Sequence, residues 1–313
     1  MNGDVSFIGR DIVSINDLSR KDIEYIMERA ETMIPYAKGE KRSRALEGRI
    51  LGNLFFEPST RTRLSFESAA HRLGLDVLDV SEMSMTSMAK GETLSDTIRM
   101  VDTYCDAIVL RHPHDGAARL AANVAGSPVI NAGDGAGSHP TQTLLDLFTM
   151  KRAMGSIDGL NIVLLGDLKY GRTVHSLSNA LTRFGAKLTF VAPEMLQMPQ
   201  DIIRTLESNG CRPYLTNDLN EVIESADVLY VTRIQRERFP DPAEYQKVAG
   251  CYRIDNEALR NAKKDMIVMH PLPRVNEIAP EVDDTPHAKY FEQAFNGIPI
   301  RMALLSSIMG GEL

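Results

Sequence analysis

The sequence predicts an α/β fold of two doubly wound parallel-sheet domains joined by helices, with an active site in the cleft between them. Short apolar runs alternate with amphipathic stretches along the chain, the signature of parallel strands covered by helices on both faces. The alternation comes in two sets, one on each side of a helical pattern from Thr141 to Met154. At 313 residues the chain is also long enough for two domains, by the rough rule of ~150 residues each.

The elements follow in order. Ser19 to Met33 reads as a capped amphipathic helix, with Ile23, Ile26, Met27, Ala30, Met33 and Ile34 at helical spacing. Strands are expected at Ile50–Phe56, Val77–Val80, Ala107–Leu110 and Val129–Asn131, with helices at Ser65–Leu73, Leu94–Thr103 and Gly116–Val124. After the Thr141–Met154 helix, strands recur at Asn161–Leu165, Lys187–Val191, Val228–Val231 and Met266–Met269. The helices of this second set are Val174–Phe184, Pro199–Ser208 and Leu219–Glu224. Phe239 to Tyr245 reads as a long mobile loop of the kind that closes as a lid. A boundary near residues 145–155 gives domains 1–148 and 149–290. By its pattern alone the last helix, about Phe291 to Met309, can pack on either; we assign 291–313 to the first.

Composition narrows the partners. With 43% hydrophobic and 25% charged residues, the chain reads as an ordinary soluble globular protein. Its net charge of −7, from 35 Lys+Arg against 42 Asp+Glu, argues against broad nucleic-acid binding, which needs a basic face. Cys105, Cys211 and Cys251 are widely spaced and form no Cys-x-x-Cys pair, which argues against zinc and a disulfide framework and for the cytoplasm. No signal peptide is read at the N-terminus, and no apolar run approaches the ~20 residues of a membrane span.

Phe55-Phe56-Glu57-Pro58-Ser59-Thr60-Arg61-Thr62-Arg63 is the most informative stretch, read as strand, tight loop and helix. A helix N-terminus offers backbone N–H groups and a positive dipole end to an anion. Hydroxyls add donors there, and arginine forks match phosphate oxygens. Ser59 three residues before Thr62 also reads as a solvated capping box with surface arginines, but a cap needs one hydroxyl and not the whole run, which favours phosphate. Four further polar clusters follow strands, where open α/β sheets bind ligands. They are Arg111-His112-Pro113, the stretch to His139-Pro140-Thr141-Gln142, Arg172 after Gly171, and His270-Pro271-Leu272-Pro273-Arg274. Arg111 alone could be a surface residue, His139 a cap partner, and the His270 segment a rigid turn with either X-Pro bond cis. Five such clusters together point to one composite site. The Ser84–Thr93 loop with Lys90, and Arg233-Ile234-Gln235 after a strand, read equally well as solvated segments. Gly166 to Gly171 lacks both the G-x-G-x-x-G spacing and the Gly-Lys-Ser/Thr of a P-loop, which disfavours nicotinamide and nucleoside triphosphates.

Taken in order, Phe56–Arg63, Lys90-Gly-Glu-Thr-Leu94, Arg111-His-Pro113, His139-Pro-Thr-Gln142, Gly166–His175, Arg233-Ile-Gln235 and His270–Arg274 resemble the transcarbamoylase family over essentially the whole chain. The likeness is to its aspartate-using branch. The ornithine branch carries a cysteine where this chain has Thr141 or Pro271 and lacks the lysine of the Lys-Gly-Glu loop. Lys90, Arg172 and Arg233 also suit two carboxylates, whereas ornithine would need an acidic partner.

The resemblance implies carbamoyl transfer from carbamoyl phosphate to the α-amine of L-aspartate, with no metal, cofactor or covalent nucleophile. It assigns Ser59, Thr60, Arg61 and Thr62 to the phosphate, Arg111 to phosphate and carbonyl oxygen, and His139 to the carbonyl. Gln142 with the Pro271 and Leu272 carbonyls is expected to hold the carbamoyl NH2. Arg172, Arg233, Gln235, Lys90 and Leu272 are expected to meet aspartate. It further implies a homotrimer with shared sites, in which Lys90 and Ser87 reach a neighbouring chain, Ser84 or Thr86 being alternatives to Ser87. A separate regulatory chain is a further partner known in the family. An ornithine-using enzyme and an inactive carbamoyl-phosphate-binding homologue are the rival readings.

Overall fold

Two fully parallel sheets organise the chain, each in its own unit: residues Met1–Leu145 with Phe295–Leu313, and residues Asp146–Ala294. This computed structural model describes residues 6–313 except 82–86, 136, 237, 238 and 240, and for Ser87 and Pro242 the backbone only.

The first unit begins with α1 (Arg20–Ala37), closed by a capping box in which Ser19 and Asp22 satisfy each other's backbone N–H. It runs past the expected end at Met33 and takes Pro35 into its last turn. Then come β1 (Ile50–Phe55), α2 (Thr60–Leu73), β2 (Asp76–Val80), α3 (Leu94–Asp102), β3 (Ala107–His112), α4 (Ala117–Val124), β4 (Val129–Asp134) and α5 (Pro140–Met154). The strand order is β2-β1-β3-β4. Strands β3 and β4 are buried throughout, while every residue of the edge strand β2 is exposed or half-buried. Continuous apolar runs therefore mark the strands covered on both faces. Leu54, Phe56, Ile98, Ile108, Leu110 and Val129 form a core that holds α3 and α4 to the sheet, each such side chain stabilising by roughly 1.5–3 kcal/mol.

The second unit holds β5 (Asn161–Leu165), α6 (Arg172–Thr182), β6 (Lys187–Val191), α7 (Gln200–Ser208), β7 (Tyr214–Thr216), β8 (Val228–Val231), α8 (Pro242–Val248) and β9 (Ile267–Met269). Its order is β7-β6-β5-β8-β9. Helix α9 (Tyr290–Ile308) follows, and the division between units falls within both α5 and α9. Val163, Leu165, Leu229, Val231, Val268 and Tyr290 are among the buried core of this unit.

Several expectations need correction. Helix α2 starts at Thr60 rather than Ser65, which puts the hydroxyl and arginine run inside its first turn. Leu219–Glu224 is two short 3-10 turns, Leu219–Glu221 and Ile223–Ser225. The second half of the supposed loop Phe239–Tyr245 is the start of α8, with Pro242 in its first turn and the Asp241 side chain accepting from the Ala243 N–H. Among the described residues no helix is long and apolar enough to cross a membrane, and no His/Cys/Asp/Glu group could hold a metal.

Candidate active site

Each sheet has a switch point where its strand order reverses, between β1 and β3 in the first unit and between β5 and β8 in the second. Ser59 to Thr62, Arg111, Arg172, Arg233 and Gln235 lie at or after the carboxyl ends of these strands, and His139 and Leu272 after those of β4 and β9, where such sheets bind ligands.

In the first unit Phe55 pairs with Arg111 across β1 and β3, so the loop to α2 leaves beside Arg111. Ser59 stands at the N-cap of α2, yet its side chain makes no capping hydrogen bond. The capping-box reading of Ser59 and Thr62 is thus replaced by a helix start left open. Thr62 is buried, Ser59 is half-buried, and Thr60 and Arg61 are exposed. This turn is held from behind. Asp79 on β2 accepts from Arg63 at 2.5 Å and from the buried Asn53 of β1 at 2.8 Å.

Arg111 is only 8% exposed. One guanidinium nitrogen donates to the Ala132 carbonyl at 3.0 Å, and the other lies 3.1 Å from Glu57 Oε2. The contact with Glu57 pairs opposite charges. The guanidinium is therefore anchored on the β4 side and faces a carboxylate on the α2 side.

His139 is buried immediately before α5, and its carbonyl accepts the N–H groups of Gln142 and Thr143. Its Nδ1 lies 3.5 Å from the Thr141 hydroxyl, which accepts from Arg301 at 3.4 Å. The loop carrying His139 is fixed by Asp134. One of its carboxylate oxygens accepts from Ser138 N–H and the Asn131 amide, and the other from Gly116 N–H. Gly135 has φ +49°, and a Cβ there would run into Asp115. Gln142 is half-buried on α5. Lys90 is exposed at the end of a 3-10 turn, Ser87–Lys90. Ser84 and Thr86 lie outside the described residues.

In the second unit Gly166 ends β5 with φ +116°, and a Cβ there would lie 2.4 Å from the Thr232 carbonyl after β8. Only glycine permits this approach at the switch point. Thr232 locks the same corner, its hydroxyl donating to the Leu165 carbonyl and accepting the Asp167 N–H. Arg172 opens α6 behind β5, and Arg233 and Gln235 follow β8; all three are half-buried. A cavity of about 340 Å³ borders this corner, lined in part by Arg233, Arg236, Tyr245, Asn276 and Glu277. After β9, His270 leads into Pro271-Leu272-Pro273, where the Leu272–Pro273 bond is cis and Leu272 has φ 53°.

Residues 10–152 match the carbamoyl-P binding domain of the aspartate/ornithine carbamoyltransferases, and residues 158–308 match their Asp/Orn binding domain. The chain belongs to this family. Among relatives, the aspartate carbamoyltransferase catalytic subunit of Archaeoglobus fulgidus is 59% identical, over 96% of this chain and 99% of its own. That of Thermococcus kodakarensis is 58% identical, over 96% and 97%. The solved catalytic subunit of M. jannaschii aspartate transcarbamoylase is 50% identical with a TM-score of 0.90, covering 96% of this chain and 98% of its own. The Trypanosoma cruzi aspartate transcarbamoylase in complex with carbamoyl phosphate and aspartate is 45% identical, TM-score 0.92, covering 97% and 98%.

The structure of this family member adds residues that sequence reading passed over. Glu57 was visible only as part of a motif, and nothing in its spacing paired it with Arg111. Asp134, Thr141 and Glu277 act on candidate residues through the fold. Asp134 is signalled only as a polar residue at a strand end, Thr141 only as part of its motif, and Glu277, well past β9, by nothing in the sequence.

Proposed function

We propose that the chain transfers the carbamoyl group of carbamoyl phosphate to the α-amine of L-aspartate, giving N-carbamoyl-L-aspartate and phosphate, an early step of de novo pyrimidine biosynthesis. The observation that carries this reading is the first unit's strand edge, where buried Arg111 lies beside an uncapped helix start bearing Ser59, Thr60, Arg61 and Thr62. Such an edge suits a phosphate and, next to it, an oxygen that gains negative charge.

The electrophile is a mixed anhydride and needs positioning and oxyanion stabilisation rather than a covalent nucleophile. Ser59, Thr60, Arg61 and Thr62 bind the phosphate. Arg111 bridges phosphate and carbonyl oxygen, and His139 with Thr62 completes the polarisation of that carbonyl. Gln142 and the carbonyls of Pro271 and Leu272 hold the carbamoyl NH2. Arg172, Arg233, Gln235, Lys90 and Leu272 receive aspartate. The amine attacks the carbonyl carbon, the tetrahedral intermediate expels phosphate, and the leaving phosphate takes the amine proton. Residues 1–148 with 291–313 serve carbamoyl phosphate, and 149–290 serve aspartate.

Lys90 and Ser87 act on a neighbouring subunit's substrates in a cytoplasmic homotrimer. The curated relatives are named catalytic subunits, which supports a separate regulatory chain as a partner. The test is carbamoyl transfer by the purified chain, offered carbamoyl phosphate with L-aspartate or L-ornithine. Carbamoyl-aspartate is the expected product. Turnover of ornithine instead would overturn the roles of Lys90 and Arg233, and silence with both would overturn the enzyme reading.

A further inference from the structure

The turn after β9 has a conformation that needs explaining. Leu272 is a non-glycine residue in the left-handed region, which is unfavourable unless its surroundings hold it there. The hold is visible. The Leu272 N–H donates to Nδ1 of His270 at 2.8 Å, and Nε2 of the same ring lies 2.8 Å from Glu277 Oε1. The other Glu277 oxygen accepts the N–H groups of Val275 and Asn276. Behind the ring, the His270 N–H donates to Gln293, whose amide donates to Asp146, and Asp146 also accepts from Tyr230.

These contacts define the state of the imidazole. An amide N–H can only donate, so Nδ1 of His270 carries no proton and the ring is neutral. Its one proton sits on Nε2, facing the carboxylate. Burial, with the ring 1% exposed, also pushes its pKa down. Burial pushes the Glu277 carboxyl up, but His270 and the backbone N–H groups more than reverse this and keep it ionised.

We propose that Glu277 and His270 form a positioning pair that fixes the Pro271–Leu272 carbonyls toward the carbamoyl group by presenting an unprotonated Nδ1 to the Leu272 N–H. Glu277 selects the tautomer, His270 transmits it to the backbone, and neither touches the reacting atoms. The inference rests on the reading that these carbonyls hold the carbamoyl NH2, and it adds the device that aims them.

The test uses two substitutions that split the ring's functions. In His270→Asn the side-chain oxygen falls near the place of Nδ1 and still accepts the Leu272 N–H. In His270→Gln the amide reaches toward Glu277 but leaves that N–H without its acceptor. Losing the hydrogen-bond partner of this half-buried amide corresponds to about a 10-fold effect. We expect His270→Gln to raise KM for carbamoyl phosphate or lower kcat by that factor, and His270→Asn to stay within ~3-fold of the parent. Both should bind inorganic phosphate as the parent does, because phosphate lacks the carbamoyl group. Long-range proton–nitrogen NMR of the parent should show Nδ1 unprotonated.

Equal impairment of the two variants, or loss of phosphate binding along with carbamoyl phosphate, would overturn the positioning role. A protonated Nδ1 would do so independently of any activity. A parent chain silent toward carbamoyl phosphate would instead remove the functional reading beneath it, so the two failures are distinguishable.

Discussion

Replacing Arg111 by lysine separates the charge of this side chain from its shape. The guanidinium reaches the Ala132 carbonyl at 3.0 Å and Glu57 at 3.1 Å through two different nitrogens. A single ammonium cannot occupy both positions. At 3.1 Å the ion pair with Glu57 attracts by about 5 kcal/mol at an effective dielectric of ~20, most of it offset by desolvation. Lysine keeps that attraction and strands the Ala132 carbonyl, which costs about 1 kcal/mol of stability. In the proposed reaction, however, Arg111→Lys would remove one donor from the developing oxyanion, an expected loss of about 10²–10³ in kcat. The assay is colorimetric carbamoyl-aspartate formation at saturating substrates, paired with a urea unfolding curve. Activity should collapse while the unfolding midpoint moves little. Arg111→Ala should lose both, falling by roughly 1–3 kcal/mol in stability because Glu57 is left without its cation. A lysine enzyme within ~10-fold of the parent, about 1.4 kcal/mol of barrier, would refute the bridging role.

Other perturbations test other parts. Arg61→Ala should reduce kcat far more than it weakens substrate binding, and a kcat within ~10-fold of the parent would remove Arg61 from the phosphate site. Inactive Lys90→Ala and Arg61→Ala chains, mixed and reassembled, should recover activity; none in verified hybrid trimers would argue against sites shared between chains. Asp283 is held below the usual carboxylate range, first by its hydrogen bonds from Arg274, with burial opposing. A depressed carboxyl stabilises the fold above its unfolded pKa, near ~3.9, and loses that contribution as pH falls through the folded value. Urea midpoints should therefore drop below about pH 4, and Asp283→Asn should flatten the drop; an unchanged profile would count against the pair.

The strands of the second unit were legible almost to the residue. Asn161–Leu165, Lys187–Val191 and Val228–Val231 stand as expected, because each is a short, mainly apolar run with a glycine, proline or polar residue within two positions of either end. Strand β7 escaped notice since its three residues are exposed or half-buried at a sheet edge and show no apolar pattern. Helix α8 was masked by its own start signal, as Pro240, Asp241 and Pro242 read as a loop until Asp241 is seen to cap. The hydroxyl and arginine run at Ser59 to Arg63 was readable from residue types alone. The pairing of Glu57 with Arg111 was not, for it depends on β1 and β3 lying side by side although 56 positions separate their paired residues Phe55 and Arg111. Leu272 gave no warning of its conformation, because leucine carries no preference for the left-handed region.

Ser59 leaves α2 without a side-chain cap, an omission that ordinarily costs a helix about 1 kcal/mol. An anion seated there would complete the helix that the chain leaves unfinished, so occupancy and folding share one free energy. For a ligand that binds only the folded chain, saturation at ~100 times its dissociation constant adds about 2.7 kcal/mol to stability. The melting temperature of the protein thus becomes a direct gauge of phosphate binding, readable with a dye and without any turnover. By the same linkage, a cell depleted of the substrate would hold a population of this enzyme that opens, and is degraded, more readily than one in steady use.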